Sequence, residues 1–330
     1  MARFSQLLAH LLFALIVLCG AAWSATALWL HLAGPSRIVA LAALAVVTLG
    51  AFVARTRKRR LGWLVLVIGA EMVAGWYQTI TPRADRDWAV DVSRGVTARV
   101  QGDTVTLSNI RDFDWHSRDT ATERWIVRSY DLDALESVDM VTSVWDNPEI
   151  AHLLVSFGFA GGEHVVFSVE IRREADETFS ELGGFFRQFE LVLIAATERD
   201  IVRLRTDLRH EAVRMYAVDL TPEQRRTMFL AYVELARQLE QKPRFYNTIA
   251  ANCTTVVYGL ARALKSDLPI NATLILSGRL PEYLDALGVL GGEGTLPERR
   301  AAALLRANAG TLHPGLSYSE AIRQRPQLSR

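Results

Sequence analysis

The sequence predicts an α+β domain, with an antiparallel sheet and packed helices, preceded by three transmembrane helices. Two observations predict it. Three long apolar stretches lie within the first eighty residues, and the chain after them carries first strand-like alternation and then helical periodicity. The chain has 330 residues and 50% of them are hydrophobic, which is enough for a membrane anchor and a globular domain with its own core.

The apolar stretches run from Leu7 to Leu32, from Arg37 to Ala54 and from Leu61 to Thr79. Each is close to the roughly 20 residues that a helix needs to cross the hydrocarbon layer. A cleaved signal peptide would show one shorter apolar core followed by a polar chain, which the second and third stretches contradict. We therefore predict a transmembrane anchor over residues 1–80.

A strongly basic loop, residues 55–60, joins the second and third stretches. Such loops stay in the cytoplasm, so the N-terminus is predicted to be cytoplasmic and the chain after about residue 80 to be periplasmic. Trp76 and Tyr77 lie where an interfacial aromatic belt is expected. The prediction is a protein of the bacterial inner membrane with an external domain.

Beyond the anchor, we predict a juxtamembrane linker over residues 81–94, a catalytic domain over 95–275 and a C-terminal helical extension, packed on the domain, over 276–330. Thr221-Pro-Glu-Gln224 has the pattern of a capping box and predicts a helix that ends near Lys242.

Composition and spacing exclude several functions. The formal net charge is +1, so no global field favours nucleic acid. His116, His210 and His313 have no ligand-like spacing, and no glycine loop that could cradle a phosphate occurs. We predict neither a metal nor a cofactor.

The most informative segment is a β-hairpin formed by residues 152–159 and 163–172. Both arms alternate between apolar and polar residues, and a one-residue slip would turn every side chain to the other face. A three-residue loop over 160–162 brings the two apolar faces together. This register places His152 opposite Glu170.

The chain has two cysteines, and Cys19 lies in the first apolar stretch, so no disulfide with Cys253 is expected. The pattern after Asn252 predicts a helix with Asn252 as its cap and Cys253 in its first turn. A helix N-terminus and a nearby imidazolium both lower the pKa of a thiol.

These residues are the parts of a thiol enzyme. Cys253 would be the nucleophile, His152 the general base and Glu170 the group that orients the imidazole. The Cys253 backbone amide, together with Asn252 or Asn247, would form the oxyanion hole.

Each residue also has a structural interpretation. Cys253 could be a small buried hydrophobe, His152 a strand residue with a satisfied hydrogen bond, and Glu170 the partner of Arg172. His164 is a rival third member, but the register places it opposite Gly158 and away from His152.

Four runs, residues 150–159, 167–172, 183–189 and 245–255, resemble the Lnb N-terminal periplasmic domain family. The family is named after bacterial lipoprotein N-acyltransferases. It is similar to circularly permuted, papain-like enzymes of the NlpC type, in which a histidine strand precedes an Asn-Cys helix. The resemblance spans roughly residues 85–275 and implies a papain-like fold with Cys253 as nucleophile and His152 as base.

The resulting hypothesis is a membrane-anchored cysteine acyltransferase that acts on membrane lipids or lipoproteins through a thioacyl-enzyme. Two alternatives remain open from the sequence. The same residues would serve a papain-like amidase or peptidase of the cell envelope, with water as acceptor, or the domain could be a non-enzymatic scaffold or sensor.

Overall fold

The computed structural model describes residues 2–324. Its first three helices are Ala2–His31 (α1), Gly34–Arg57 (α2) and Arg59–Gln78 (α3). All three are long and apolar enough to cross a membrane, which confirms the predicted helices. All three begin a few residues before the predicted apolar stretches, because helical hydrogen bonding includes the flanking residues.

Of the predicted basic loop between α2 and α3, only Lys58 lies outside the helices. Its backbone is extended, and it joins the end of α2 to the start of α3. The two helices approach closely at Gly62, where an added Cβ would lie 2.6 Å from Cβ of Arg55. Arg55 is buried; its guanidinium lies 4.1 Å from the Phe13 ring centroid and donates to the Ala9 carbonyl at 2.8 Å. These contacts offset part of the cost of burying the charge.

The chain divides into two compact units, and the first comprises Met1–Arg83 and Ser180–Gln188. The second segment contains a short helix, Glu181–Phe185 (α4). Arg187 donates to the Tyr77 carbonyl at 3.1 Å, and its guanidinium lies 4.6 Å from the Tyr77 ring centroid. The segment therefore packs with the helices of the anchor, although it is distant from them in sequence.

The second unit contains the sheet. Its strands are Thr97–Gln101 (β1), Thr104–Arg111 (β2), Asp114–Trp115 (β3), Ala121–Thr122 (β4), Trp125–Asp131 (β5), Leu135–Val144 (β6), His152–Phe159 (β7), Glu163–Arg172 (β8), Glu190–Ala196 (β9) and Ala212–Ala217 (β10). The main sheet has the order β1-β2-β9-β8-β7-β6-β10, with β5 also paired to β2, while β3 and β4 form a separate ribbon. The pairs are antiparallel except β2 with β9. This confirms the α+β class.

The helices of the second unit follow the strands or lie between them. They are Glu198–Arg203 (α5), Pro222–Gln241 (α6), Cys253–Ala261 (α7), Leu280–Ala286 (α8), Leu296–Ala302 (α9), Ala309–Leu312 (α10) and Tyr318–Arg323 (α11). The predicted capping box of α6 forms, with the Thr221 and Gln224 side chains each bonded to the other residue's backbone.

The β7–β8 hairpin has the predicted register. Phe159 pairs with Glu163 and Leu154 with Ser168, so the same progression sets His152 against Glu170. Gly161 and Gly162 have φ values of +86° and +81°, which glycine adopts without steric cost. The three-residue turn therefore determines which side chains meet at the far end of the hairpin.

Both faces of the sheet are covered. One face packs on α6, where Phe157 and Phe167 contact Phe229 and Tyr232. The other face packs on α5 and on the C-terminal helices, which contribute buried residues such as Ile322. Because both faces are buried, β9 after its first residue, Glu190, is a continuous apolar run without alternation.

The predicted linker also contributes to the second unit. Ala84 is the first residue of that unit, and Ala89 and Val92 are buried in the same core as Val192 and Ile194 of β9. The chain is therefore packed from shortly after the anchor.

Candidate active site

Cys253 is the first residue of α7, as predicted, and it is half-buried. The Asn252 side chain caps the helix: its Oδ1 accepts from the amides of Thr254 at 2.9 Å and Thr255 at 2.8 Å. Its Nδ2 donates to the Thr248 carbonyl at 2.7 Å. Asn252 therefore holds the start of α7, and with it the thiol, in place.

His152 is the first residue of β7, and its imidazole contacts two side chains of β8. Nε2 lies 3.0 Å from Oε1 of Glu170 and 2.8 Å from Oγ of Ser168. Ser168 itself donates to Oε1 of Glu170 at 2.7 Å. Nε2 therefore carries the proton that these acceptors bind, and the carboxylate orients the ring.

A buried arginine, Arg205, also contacts Glu170. It lies in the π-helical turn Leu204–Leu208, which continues α5. Arg205 donates to Oε1 of Glu170 at 3.2 Å and to the Ile201 carbonyl at 3.1 Å. On its other side it lies 3.9 Å from Glu211, which accepts from Ser143. Glu170 is thus held from both sides and kept ionised by a cation that the sequence did not predict.

The Cys253 thiol lies beside the His152 imidazole and the Leu153 backbone amide, and its Sγ is 3.9 Å from Oγ1 of Thr254. Burial raises the pKa of the thiol, but hydrogen bonding to His152, its positive charge and the two other contacts outweigh burial and lower the pKa below its ordinary value. The thiolate is therefore stabilised by hydrogen bonds and by an adjacent cation.

The imidazole shows the complementary shift. Burial lowers the pKa of His152, but the Glu170 carboxylate and the Cys253 sulfur outweigh it and raise the pKa to about 9. Burial likewise raises the pKa of Glu170, whereas His152, Arg205 and Ser168 lower it well below the usual range. The lowered pKa of the thiol and the raised pKa of the imidazole both favour a thiolate–imidazolium pair beside an ionised carboxylate.

Asn247 lies in the loop before α7 and shapes that loop. Its Oδ1 accepts from the amides of Ile249 and Ala250 at 3.1 and 2.8 Å, and its backbone pairs with that of Ala251. Asn247 and Asn252 both support the site locally. Their predicted role in an oxyanion hole stays a prediction.

His164 lies opposite Gly158, as predicted, and away from His152. Its ring is part of a group with Asp139 and Glu198, whose ligand atoms lie within 4.8 Å of one another. Arg323 of α11 forms ion pairs with both carboxylates, at 2.8 Å to Asp139 and 2.7 Å to Glu198. Because a cation already neutralises these carboxylates, we interpret the group as a structural connection between α11 and the sheet.

Residues 121–280 match the family model of the Lnb N-terminal periplasmic domain. This match confirms, for residues 121–280, the resemblance to that family that the sequence predicts. Comparisons with curated proteins and with solved structures found no match.

The matched part of the Lnb N-terminal periplasmic domain contains Cys253, His152, Glu170 and Arg205. Three apolar helices precede it. A periplasmic domain that follows such helices indicates a membrane-anchored periplasmic protein.

The role of Glu170 can be tested by its neutral isostere. Without the carboxylate charge, His152 loses its proton at a lower pH, so the imidazolium that stabilises the thiolate is lost from the upper part of the pH range. We expect Glu170→Gln to slow alkylation of Cys253 by iodoacetamide at pH 7 about tenfold. The measurement is the labelling rate from pH 5 to pH 10.

Glu163→Gln is the matched control, because Glu163 is an exposed residue at the other end of β8, 3.5 Å from Arg128. We expect it to leave the pH profile unchanged. Equal profiles for the two variants would exclude a positioning role for Glu170.

Proposed function

We propose that the protein is a membrane-anchored periplasmic cysteine acyltransferase that transfers an acyl group from a membrane lipid or lipoprotein through a thioacyl-enzyme. The observation that carries the proposal is the position of the Cys253 thiol beside the His152 imidazole, whose Nε2 lies 3.0 Å from Oε1 of Glu170. The order of the histidine strand before the cysteine helix supports a papain-like fold.

In the first half-reaction the Cys253 thiolate attacks the carbonyl carbon of an ester. The S–C bond forms, and the tetrahedral intermediate collapses as the ester C–O bond breaks. His152, protonated in the resting pair, gives its proton to the leaving alcohol oxygen. The Cys253 backbone amide at the start of α7, with a second donor, stabilises the oxyanion.

In the second half-reaction an amine attacks the thioester carbon. His152, now neutral, takes a proton from the amine nitrogen, the C–N bond forms and the C–S bond breaks, which regenerates the thiolate beside the imidazolium. Glu170 stabilises the imidazolium in both half-reactions because its charge faces Nε2. With an amide in place of the ester in the first half-reaction and water in place of the amine in the second, the same site would be an amidase or peptidase.

We further propose that the anchor lies in the bacterial inner membrane with the N-terminus in the cytoplasm. The four basic residues Arg57–Arg60 at the α2–α3 hairpin support this orientation. Alkaline phosphatase fused after Gln324 should be active in cells, whereas a fusion at Lys58 should be inactive. The opposite pattern would contradict the orientation.

The acylated thiol is the direct test. After the full-length protein is incubated with phospholipid vesicles, we expect the peptide containing Cys253 to gain the mass of one acyl group. Cys253→Ala should abolish this adduct and lower transfer to an amine acceptor by roughly a thousandfold or more. Cys19→Ala is the matched control, because Cys19 lies on α1 in the anchor, and it should leave both signals unchanged.

Two outcomes would contradict the proposal. A reactive thiol that never acquires an acyl group, in a protein that cleaves cell-wall peptides, would assign the site to an amidase. A thiol inert to iodoacetamide at every pH would favour the scaffold.

A further inference from the structure

We propose that an apolar cavity beside Cys253 binds the fatty acyl chain of the substrate. This inference rests on the proposed transferase function. The cavity has a volume of about 210 Å³. Apolar cavities of roughly 150 Å³ already bind a molecule the size of benzene, so this one has room for several methylene groups.

The cavity lies between the sheet and the helices that follow the nucleophile. Met140 of β6 and Val155 of β7 form one wall, Val257 and Ala261 of α7 form a second, and the segment that ends with α8 forms a third. The lining is mostly aliphatic. An unbranched hydrocarbon chain is the ligand that such a surface favours.

Three of the polar side chains that line the cavity are already bonded within the protein. The Tyr258 hydroxyl donates to the Leu268 carbonyl at 2.7 Å, the Tyr283 hydroxyl donates to the Pro269 carbonyl at 2.9 Å, and Gln224 belongs to the capping box of α6. The cavity therefore offers few hydrogen bonds to a ligand. This favours an apolar chain over a peptide or a sugar, whose polar groups would lose their bonds to water.

Two residues connect the cavity to the sulfur. Leu153 lines the cavity and belongs to the buried apolar cluster against which Cys253 packs. Thr254 also lines the cavity, and its Oγ1 lies 3.9 Å from Sγ of Cys253. A carbonyl carbon at the sulfur would therefore have its chain directed along this lining.

The outer end of the cavity has features suited to a lipid. Lys265 lines the cavity and is exposed, so its ammonium can approach an anionic headgroup. Ile270 and Ile275 flank the lining residue Leu274 and are 81% and 62% exposed. This apolar border would lower the cost of moving a chain out of a bilayer.

The test compares two alkylating probes on the full-length protein in lipid nanodiscs: iodoacetamide and its N-dodecyl derivative. Ala261→Phe places a ring in the cavity, and we expect it to lower the labelling rate of Cys253 by the dodecyl probe about tenfold relative to iodoacetamide. Ala263→Phe makes the same change two residues later, at an exposed position outside the cavity, and should leave the ratio unchanged.

A ratio that is equal in the two variants would overturn the cavity assignment. If Ala261→Phe, but not Ala263→Phe, abolished labelling by iodoacetamide itself, the substitution would have damaged the site. Crosslinking of the unsubstituted protein therefore provides a second test. A dodecanoic acid with a diazirine near its methyl end should crosslink to peptides of α7 and β6, and crosslinks found only in α1–α3 would overturn the proposal.

The crosslinking result also separates the two proposals. A thiol inert to iodoacetamide, together with crosslinks in α7 and β6, would contradict the transferase and retain the acyl-chain cavity. A reactive, acylated thiol without such crosslinks would do the reverse.

Discussion

Replacing His152 with alanine should slow alkylation of Cys253 by iodoacetamide about a hundredfold at pH 6. The imidazolium contributes the largest effects that lower the pKa of the thiol, whereas burial raises it. Without His152, burial dominates and the thiolate fraction falls about tenfold for each pH unit below the pKa of the thiol. A thiolate of higher pKa is intrinsically more nucleophilic, which offsets part of this loss.

The labelling rate should depend on pH differently in the unsubstituted protein and in His152→Ala. In the unsubstituted protein the lowered pKa of Cys253 extends the thiolate to lower pH than in the variant, and His152, with its pKa of about 9, stays protonated up to that pH. The labelling rate of the unsubstituted protein should therefore change little between the lowered pKa of the thiol and about pH 9. The rate of the variant should rise steadily with pH until the two rates converge near pH 10.

His116→Ala is the matched control, since His116 is exposed and bonded to Thr122 in the β3–β4 ribbon. It should leave the profile unchanged. Identical profiles for His152→Ala and the unsubstituted protein would mean that the imidazole does not activate the thiol.

The largest effect on stability is expected at Asp200, which is completely buried. Its carboxylate accepts from Nε and Nη2 of Arg111, each at 2.9 Å, from the Phe113 amide at 2.8 Å and from Nε1 of Trp115 at 2.8 Å. Asp200→Ala leaves the Arg111 guanidinium buried and without its counter-charge. We expect the free energy of unfolding to fall by about 3–5 kcal/mol.

Thermal unfolding of the full-length protein in detergent, followed by circular dichroism, measures this loss. Asp114→Ala is the control, because Asp114 is 52% exposed and pairs with Arg203 at the surface; it should cost about 1 kcal/mol or less. Arg111→Met in the Asp200→Ala background should restore part of the stability, since it removes the uncompensated charge. Equal losses for Asp200→Ala and Asp114→Ala would contradict the assignment.

Much of the site geometry could be predicted because it depends on short-range rules. The two glycines of the β7–β8 turn and the alternation of both arms determine the register, and the register sets His152 against Glu170. Asn252 predicts the start of α7 for a similarly local reason, the capping of its first amides. The catalytic roles of these residues stay predictions.

Other elements were missed because their residues carry no local signal. β9 is buried on both faces and therefore lacks the alternation that indicates a strand. Arg205 is one of many arginines in the sequence, and nothing near it in the chain indicates that it binds Glu170, 35 residues earlier.

The sequence by itself determined the three apolar helices, the hairpin register and the cap that places Cys253 at the start of α7. Each follows from residues within a few turns or one hairpin, where hydrophobic length, side-chain alternation and capping act directly. Only the tertiary structure decided that Cys253 contacts His152, that Arg205 binds Glu170, and that an apolar cavity adjoins the thiol. These features arise where segments distant in the chain pack together, and packing depends on the shapes of all the contacting side chains at once.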